Sequence, residues 1–147
     1  MNLSSKSRYG VRILIQLALN YNTGVSVKGK TLAETQEITE PYIEQIMISL
    51  KRSGMVRAER GCAGGYLLSR PPESITLLEV IELFEGKLEL VRCTKGSQIC
   101  SRLPVCETTR IWKRLSETFR REAAAITLAH VIEENSRAKA KKAEYVF

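Results

Sequence analysis

Cys93, Cys100 and Cys106 fall within one turn-rich stretch, Cys-Thr-Lys-Gly-Ser-Gln-Ile-Cys-Ser-Arg-Leu-Pro-Val-Cys. Thiolates are soft, strongly donating ligands that suit iron-sulfur clusters or zinc, and a loop of this kind lets three of them converge on one centre. Zinc sites usually show tighter Cys-x2-Cys pairs than the spacing here, so zinc is the less favoured metal. A thiol redox switch is a further option. Cys62 lies apart from the other three.

A second set of residues points to a polyanion. The formal charge is +7 with 23 Lys and Arg against 16 acidic residues. The excess is concentrated early in the chain, since residues 1–70 carry ten Lys and Arg against five Glu. Such a surface attracts DNA. No run of about eighteen apolar residues is present, so no membrane span is expected, and the N-terminus lacks the pattern of a secretion signal. A cytoplasmic protein follows as the expectation, and in a reducing compartment the cysteines are better read as ligands or redox thiols than as disulfides. With 44% hydrophobic and 27% charged residues, the chain has the balance of a folded protein.

The elements that must position these groups are mostly helical. Tyr9, Ile13, Leu14, Leu17, Ala18 and Tyr21 recur at helical spacing and predict a helix over 5–21, stopped by Asn22, Thr23 and Gly24. A short helix is expected over 31–37, with Thr31 as its N-cap. A third is expected over 40–53, with Thr39 as cap, Pro41 in the first turn and Gly54 as the stop. Its stripe of Ile43, Ile46, Met47 and Leu50 turns inward, leaving Tyr42, Glu44, Gln45, Ser49, Lys51 and Arg52 toward solvent. This is the pattern of a helix-turn-helix, whose second helix buries one side and offers the other to the major groove.

Strands are expected over 55–59 and 66–69, with a glycine-rich tip from Arg60 to Gly65, making a β-hairpin wing. The glycines lack the GxxxxGK[ST] pattern of a phosphate-cradling loop. An amphipathic helix follows over 76–84, and a long helix is expected over 108–125 with Ile111, Trp112, Leu115 and Phe119 on one side. That apolar side needs a partner, and a second copy of the chain is the simplest one; folding back on the reader is the alternative. A short helix over 126–135 and a frayed tail from Ser136 complete the chain. The fold class is therefore mainly α with a small β wing, a winged helix-turn-helix reader joined to a long dimerisation helix. The division is 1–85 for the reader, 86–107 for the cysteine-rich loop, 108–135 for the dimerisation helices and 136–147 for a flexible tail.

The opening Leu-Ser-Ser-Lys-Ser-Arg-Tyr-Gly, the helix carrying Tyr42-Ile43-Glu44-Gln45-Ile46, the wing from Arg60-Gly61 through Gly64-Gly65-Tyr66-Leu67-Leu68 and the cysteine trio together resemble the IscR type of regulator, in the Rrf2 family. The resemblance covers residues 1 to about 135. It implies a homodimeric winged-helix transcription regulator, not an enzyme, that binds a double-stranded DNA operator and carries one iron-sulfur cluster per subunit, with 2Fe-2S favoured over 4Fe-4S. It further implies DNA contacts at Thr39, Tyr42, Glu44, Gln45 and Arg60, and cluster ligands at Cys93, Cys100 and Cys106. Those side chains suit the roles: Gln45 can pair bidentately with adenine, Glu44 can accept from cytosine N4, and Arg60 fits a narrow minor groove.

The chain departs from the family pattern at the fourth ligand. Thr109 stands where cluster-biogenesis members have a histidine, Arg8 stands where nitric-oxide sensors have an aspartate, and the chain contains no aspartate. Glu107, beside Cys106, is the candidate to complete the site; a glutamate from a second subunit, a small thiol or water are the alternatives. The lone histidine, His130, lies a helix away and reads as a surface or packed residue. A thiol-based enzyme or cluster carrier is disfavoured because no Cys-His or carboxylate constellation appears at helical spacing.

Overall fold

The computed structural model describes residues 2–91, 93 and 100–144, with side chains through Ala138. Arg92 and residues 94–99, in the middle of the cysteine stretch, lie outside the described residues, as do 145–147. Among the described residues six α-helices and a β-hairpin follow one another: α1 (Ser5–Leu19), α2 (Gly29–Gln36), α3 (Glu40–Arg52), β1 (Val56–Glu59), β2 (Gly65–Leu68), α4 (Leu77–Glu85), α5 (Thr109–Ala125) and α6 (Leu128–Glu144). No helix of the described residues is long and apolar enough to cross a membrane.

α1 is the central strut. Ser4 is its N-cap, and the Ser4 hydroxyl accepts from the Ser7 amide at 3.3 Å. The Glu85 carboxylate, at the end of α4, accepts from the Ser4 amide at 2.8 Å and also from the Ser7 hydroxyl. A negative group at this end also meets the positive pole of the helix dipole. Gly10 lets the two helices touch, because a Cβ there would lie 2.6 Å from the Phe84 ring. Ile13, Leu14 and Leu17 of α1 then pack against Leu32 of α2, the stripe Ile43, Ile46, Met47 and Leu50 of α3, and Val80 of α4, in one continuous core.

Most boundaries fall within two residues of the spacing reading, such as α1 ending at Leu19 rather than 21, and two differences carry a physical lesson. α2 starts at Gly29 with Lys28 as its N-cap, two residues before the expected first turn and without Thr31 as the cap. The cause is tertiary: Val27 pairs with Tyr66 of the wing through N–H···O bonds of 3.0 and 2.8 Å, which fixes the chain just ahead of the helix. α6 continues past Asn135 and Ser136 to Glu144, since the Ala, Lys and Arg of this segment are good helix formers. Its start is also stitched to the reader, with the Leu77 amide donating to Ile126 at 2.8 Å and the Leu128 amide to Ile75 at 3.0 Å. Leu128 is buried in the reader core. The last helix therefore belongs partly to the reader, where the spacing had grouped it with the dimerisation helices.

The wing is antiparallel, in the register Val56↔Leu68 to Glu59↔Gly65. Its base is buried through Val56 and Leu68, and its tip reaches into solvent. Gly65 is demanded by the bridge to Val27, because a Cβ there would sit 2.6 Å from the Val27 carbonyl oxygen.

Candidate nucleic-acid interface and thiol site

α3 is held so that only one face remains available. Thr39 is its N-cap through the backbone, its carbonyl accepting from the Tyr42 and Ile43 amides at 3.1 Å each, while its side chain makes no capping bond. The exposed Thr39 hydroxyl thus stands at the positive end of the helix. Glu44 and Gln45 are exposed on the outward face. Tyr42 is placed differently: it is half-buried, its hydroxyl lies 2.9 Å from Ser5 Oγ, and its ring meets Tyr9 edge-on at 6.0 Å. It ties α3 to the start of α1, a contact that helical spacing cannot reveal.

The wing and α3 enclose a cleft of about 330 Å³ whose lining includes Lys30, Glu44, Glu59 and Tyr66. The Lys51 ammonium stands 6.0 Å from the Tyr66 ring centroid. Burial pushes the Tyr66 phenol up, and the Glu44 carboxylate adds to it. At the tip, Arg60 and Cys62 are both exposed, and the Ser26 hydroxyl donates to the Ala63 carbonyl at 2.8 Å, pinning the tip to the segment ahead of α2. Thr39, Glu44, Gln45 and Arg60 accordingly all lie exposed on α3 or the wing.

One α3 residue escaped the spacing reading. Ile48 is 52% exposed, while Ile43, Ile46, Met47 and Leu50 are fully buried. Its signal in the sequence was being out of step with the inward stripe.

Cys93, Cys100 and Cys106 are free and half-buried, and Cys62 is free and exposed. Among the described residues no three thiol, imidazole or carboxylate groups are gathered at metal-binding distance. The chain approaches the thiols on two supports. After α4, the Leu88 amide donates to Glu82 at 2.9 Å and the Leu90 amide donates to the Ser116 hydroxyl at 3.1 Å, which lays residues 88–90 along α5 just ahead of Cys93. Arg120 of α5 closes on the same Glu82 carboxylate. On the other side, Cys106 stands just ahead of α5, its carbonyl accepting from the Thr109 amide at 3.3 Å.

The Cys106 sulfur lies 3.3 Å from Thr108 Oγ1. Hydrogen bonding from Thr108, with Thr109 beside it, lowers this thiol to about 7, so a large share is thiolate at neutral pH. Thr109 Oγ1 is buried with no hydrogen-bond partner of ordinary geometry. Three free thiols, one of them drawn toward thiolate, are a donor set that suits a thiophilic metal centre. Glu107 is exposed beside Cys106. His130 caps α6 instead, its Nδ1 lying 3.1 Å from the Ala125 carbonyl oxygen and 3.4 Å from the Thr127 amide.

The family model for Rrf2, described as an iron-dependent transcriptional regulator, matches residues 3–134. The chain belongs to the Rrf2 family. The HTH-type transcriptional regulator IscR of Klebsiella pneumoniae is 36% identical over 132 residues, 90% of this chain and 80% of that one. The solved structure of T. potens IscR is similar with a TM-score of 0.75 at 30% identity, covering 94% of this chain and 90% of that one. CymR, the global cysteine regulator of B. subtilis, also has a TM-score of 0.75, at 28% identity over 91% of this chain and 98% of that one. This Rrf2 protein is thus a winged-helix, DNA-binding transcription regulator and not an enzyme.

Proposed function

We propose that the chain is an iron-sulfur dependent transcription regulator that acts as a homodimer on a double-stranded DNA operator in the cytoplasm, controlling iron-sulfur biogenesis or related stress genes. The observation that carries this reading is three unpaired, half-buried thiols standing between a DNA reader and a long helix whose large apolar side chains are uncovered. Cys93, Cys100 and Cys106 would hold the cluster, 2Fe-2S in preference to 4Fe-4S, with Glu107 as the chain's own candidate for the fourth position. When bound, the cluster supplies short iron-thiolate bonds that link the three cysteines. Cys106 would pass a constraint directly into the first turn of α5, and Ser116 and Arg120 would hold residues 88–90 and α4 against the same helix. A change in the pose of α5 would then alter the relative placement of two readers, which is a shift in population between binding-competent and incompetent states.

At the DNA, the Thr39 hydroxyl and the α3 N-terminus would take a phosphate, Gln45 an adenine edge, Glu44 a cytosine amino group, and Arg60 the minor groove. Tyr42 would contact the backbone from its anchored position beside Ser5. Anaerobic purification with absorption and electron paramagnetic resonance spectra, iron and sulfide analysis tests the cofactor. About two iron and two sulfide per chain are expected, and about four of each would replace the 2Fe-2S assignment. Converting the three cysteines together to alanine should remove the chromophore and change operator affinity; an unchanged footprint would remove the sensing half of the reading.

A thiol switch is the second reading, favoured by the acidic Cys106 thiol and by similarity to a cysteine regulator. A colourless, iron-free protein whose operator affinity changes on mild oxidation would select it.

A further inference from the structure

We propose that Ile48 reads a thymine methyl group in the operator and is a specificity-determining residue of α3. The inference rests on the DNA-reading role of α3 and goes beyond the polar contacts assigned above. Ile48 is 52% exposed, and it is absent both from the core and from the partly buried side chains packed on it. The core-facing residues Ile43, Ile46, Met47 and Leu50 define the inner side of the helix. At about 100° per residue, Ile48 points within roughly 30° of the direction opposite them, between Glu44 and Gln45 and about 6 Å further along the axis than Glu44. It therefore occupies the middle of the face that enters the groove.

Its neighbours one turn away on this face are Glu44, Gln45, Lys51 and Arg52, all exposed and polar. A lone apolar side chain in a polar setting does not make a protein-docking stripe, in contrast to the four large residues that line α5. In the major groove its natural counterpart is the 5-methyl group of thymine, the one apolar feature a base edge offers there. Isoleucine is also stiff at χ1 in a helix, so its methyl groups are presented in one orientation with little entropy left to lose.

The test begins with an operator selected by the wild-type protein from randomised DNA duplexes. Each thymine in it is then replaced singly by uracil, which removes only the methyl group. For wild type, uracil at one thymine position of the half-site should weaken binding about fourfold, the value of one methyl contact. Ile48→Ala should bind the thymine and uracil duplexes equally there, and a fresh selection with this variant should lose its thymine preference at that position. Leu19→Ala, which trims an even more exposed apolar side chain on α1, should keep the full uracil penalty, and circular dichroism checks that both variants are folded. A uracil penalty unchanged in Ile48→Ala, or absent in wild type, overturns the inference while leaving the reader intact. Failure of the wild-type protein to select any sequence overturns the DNA-reading role itself, and this inference with it.

Discussion

α3 and α5 carry the same kind of apolar stripe and put it to opposite uses. In α3, Ile43, Ile46, Met47 and Leu50 are all 0% exposed. In α5, Ile111, Trp112, Leu115 and Phe119 are 55%, 36%, 46% and 42% exposed, while Ser116 and Ala123 are buried. Small residues bring α5 close to its own chain, and the large ones are turned away from it. The reader is therefore complete within one chain, whereas α5 displays an apolar face that water disfavours and that a second copy would cover. Periodicity reports that a helix has an apolar side; it does not report what covers it.

Core truncation should separate the two regions most sharply. Ile46→Ala should lower the unfolding free energy by about 2–5 kcal/mol, the usual cost of emptying a fully buried aliphatic site, seen as a lower denaturant midpoint at every protein concentration. Trp112→Ala combined with Phe119→Ala should leave the reader's own stability nearly unchanged and weaken self-association at least a hundredfold. Sedimentation velocity reads the second effect. A double variant as dimeric as wild type, or a wild type that is monomeric throughout, would break the contrast by showing that α5 is not the covered face.

A smaller effect sharpens the comparison from the reader side. Hydrogen bonds from Ser4 and Ser7 hold the Glu85 carboxyl below its ordinary value. Its folded-state value is thus lower than its unfolded one, so the stabilisation is complete above the unfolded value and disappears as pH falls through the folded one. Because the group is largely solvated, the contribution is about half a kcal/mol or less after screening. Glu85→Gln should lower the midpoint slightly at pH 7, and the difference from wild type should vanish in acid below the usual carboxylate range. A difference that persists unchanged at low pH would mean that the loss is one of packing rather than of charge.

Much of the architecture was legible before any coordinates. Thr39 and Gly54 bracket α3, and the glycine tip separates β1 from β2. These are local devices, decided by residues within a few positions of one another. The outward placement of Glu44, Gln45 and Arg60 was equally readable, because a helix period and a hairpin tip fix direction locally. What escaped depended on distant parts of the chain. The early start of α2 follows from Val27 pairing with Tyr66. The anchoring of Tyr42 follows from Ser5 and Tyr9, more than thirty residues away.

By itself, then, the sequence determined the helices, the wing, the basic reader and the supply of three thiols beside it, since propensity, periodicity and charge are carried by neighbouring residues. Only the tertiary structure decided that Leu128 of α6 closes the reader core and that Ser116 and Arg120 bind residues 82–90 to α5. Burial is a property of what packs against a residue, and that partner is chosen by the whole chain.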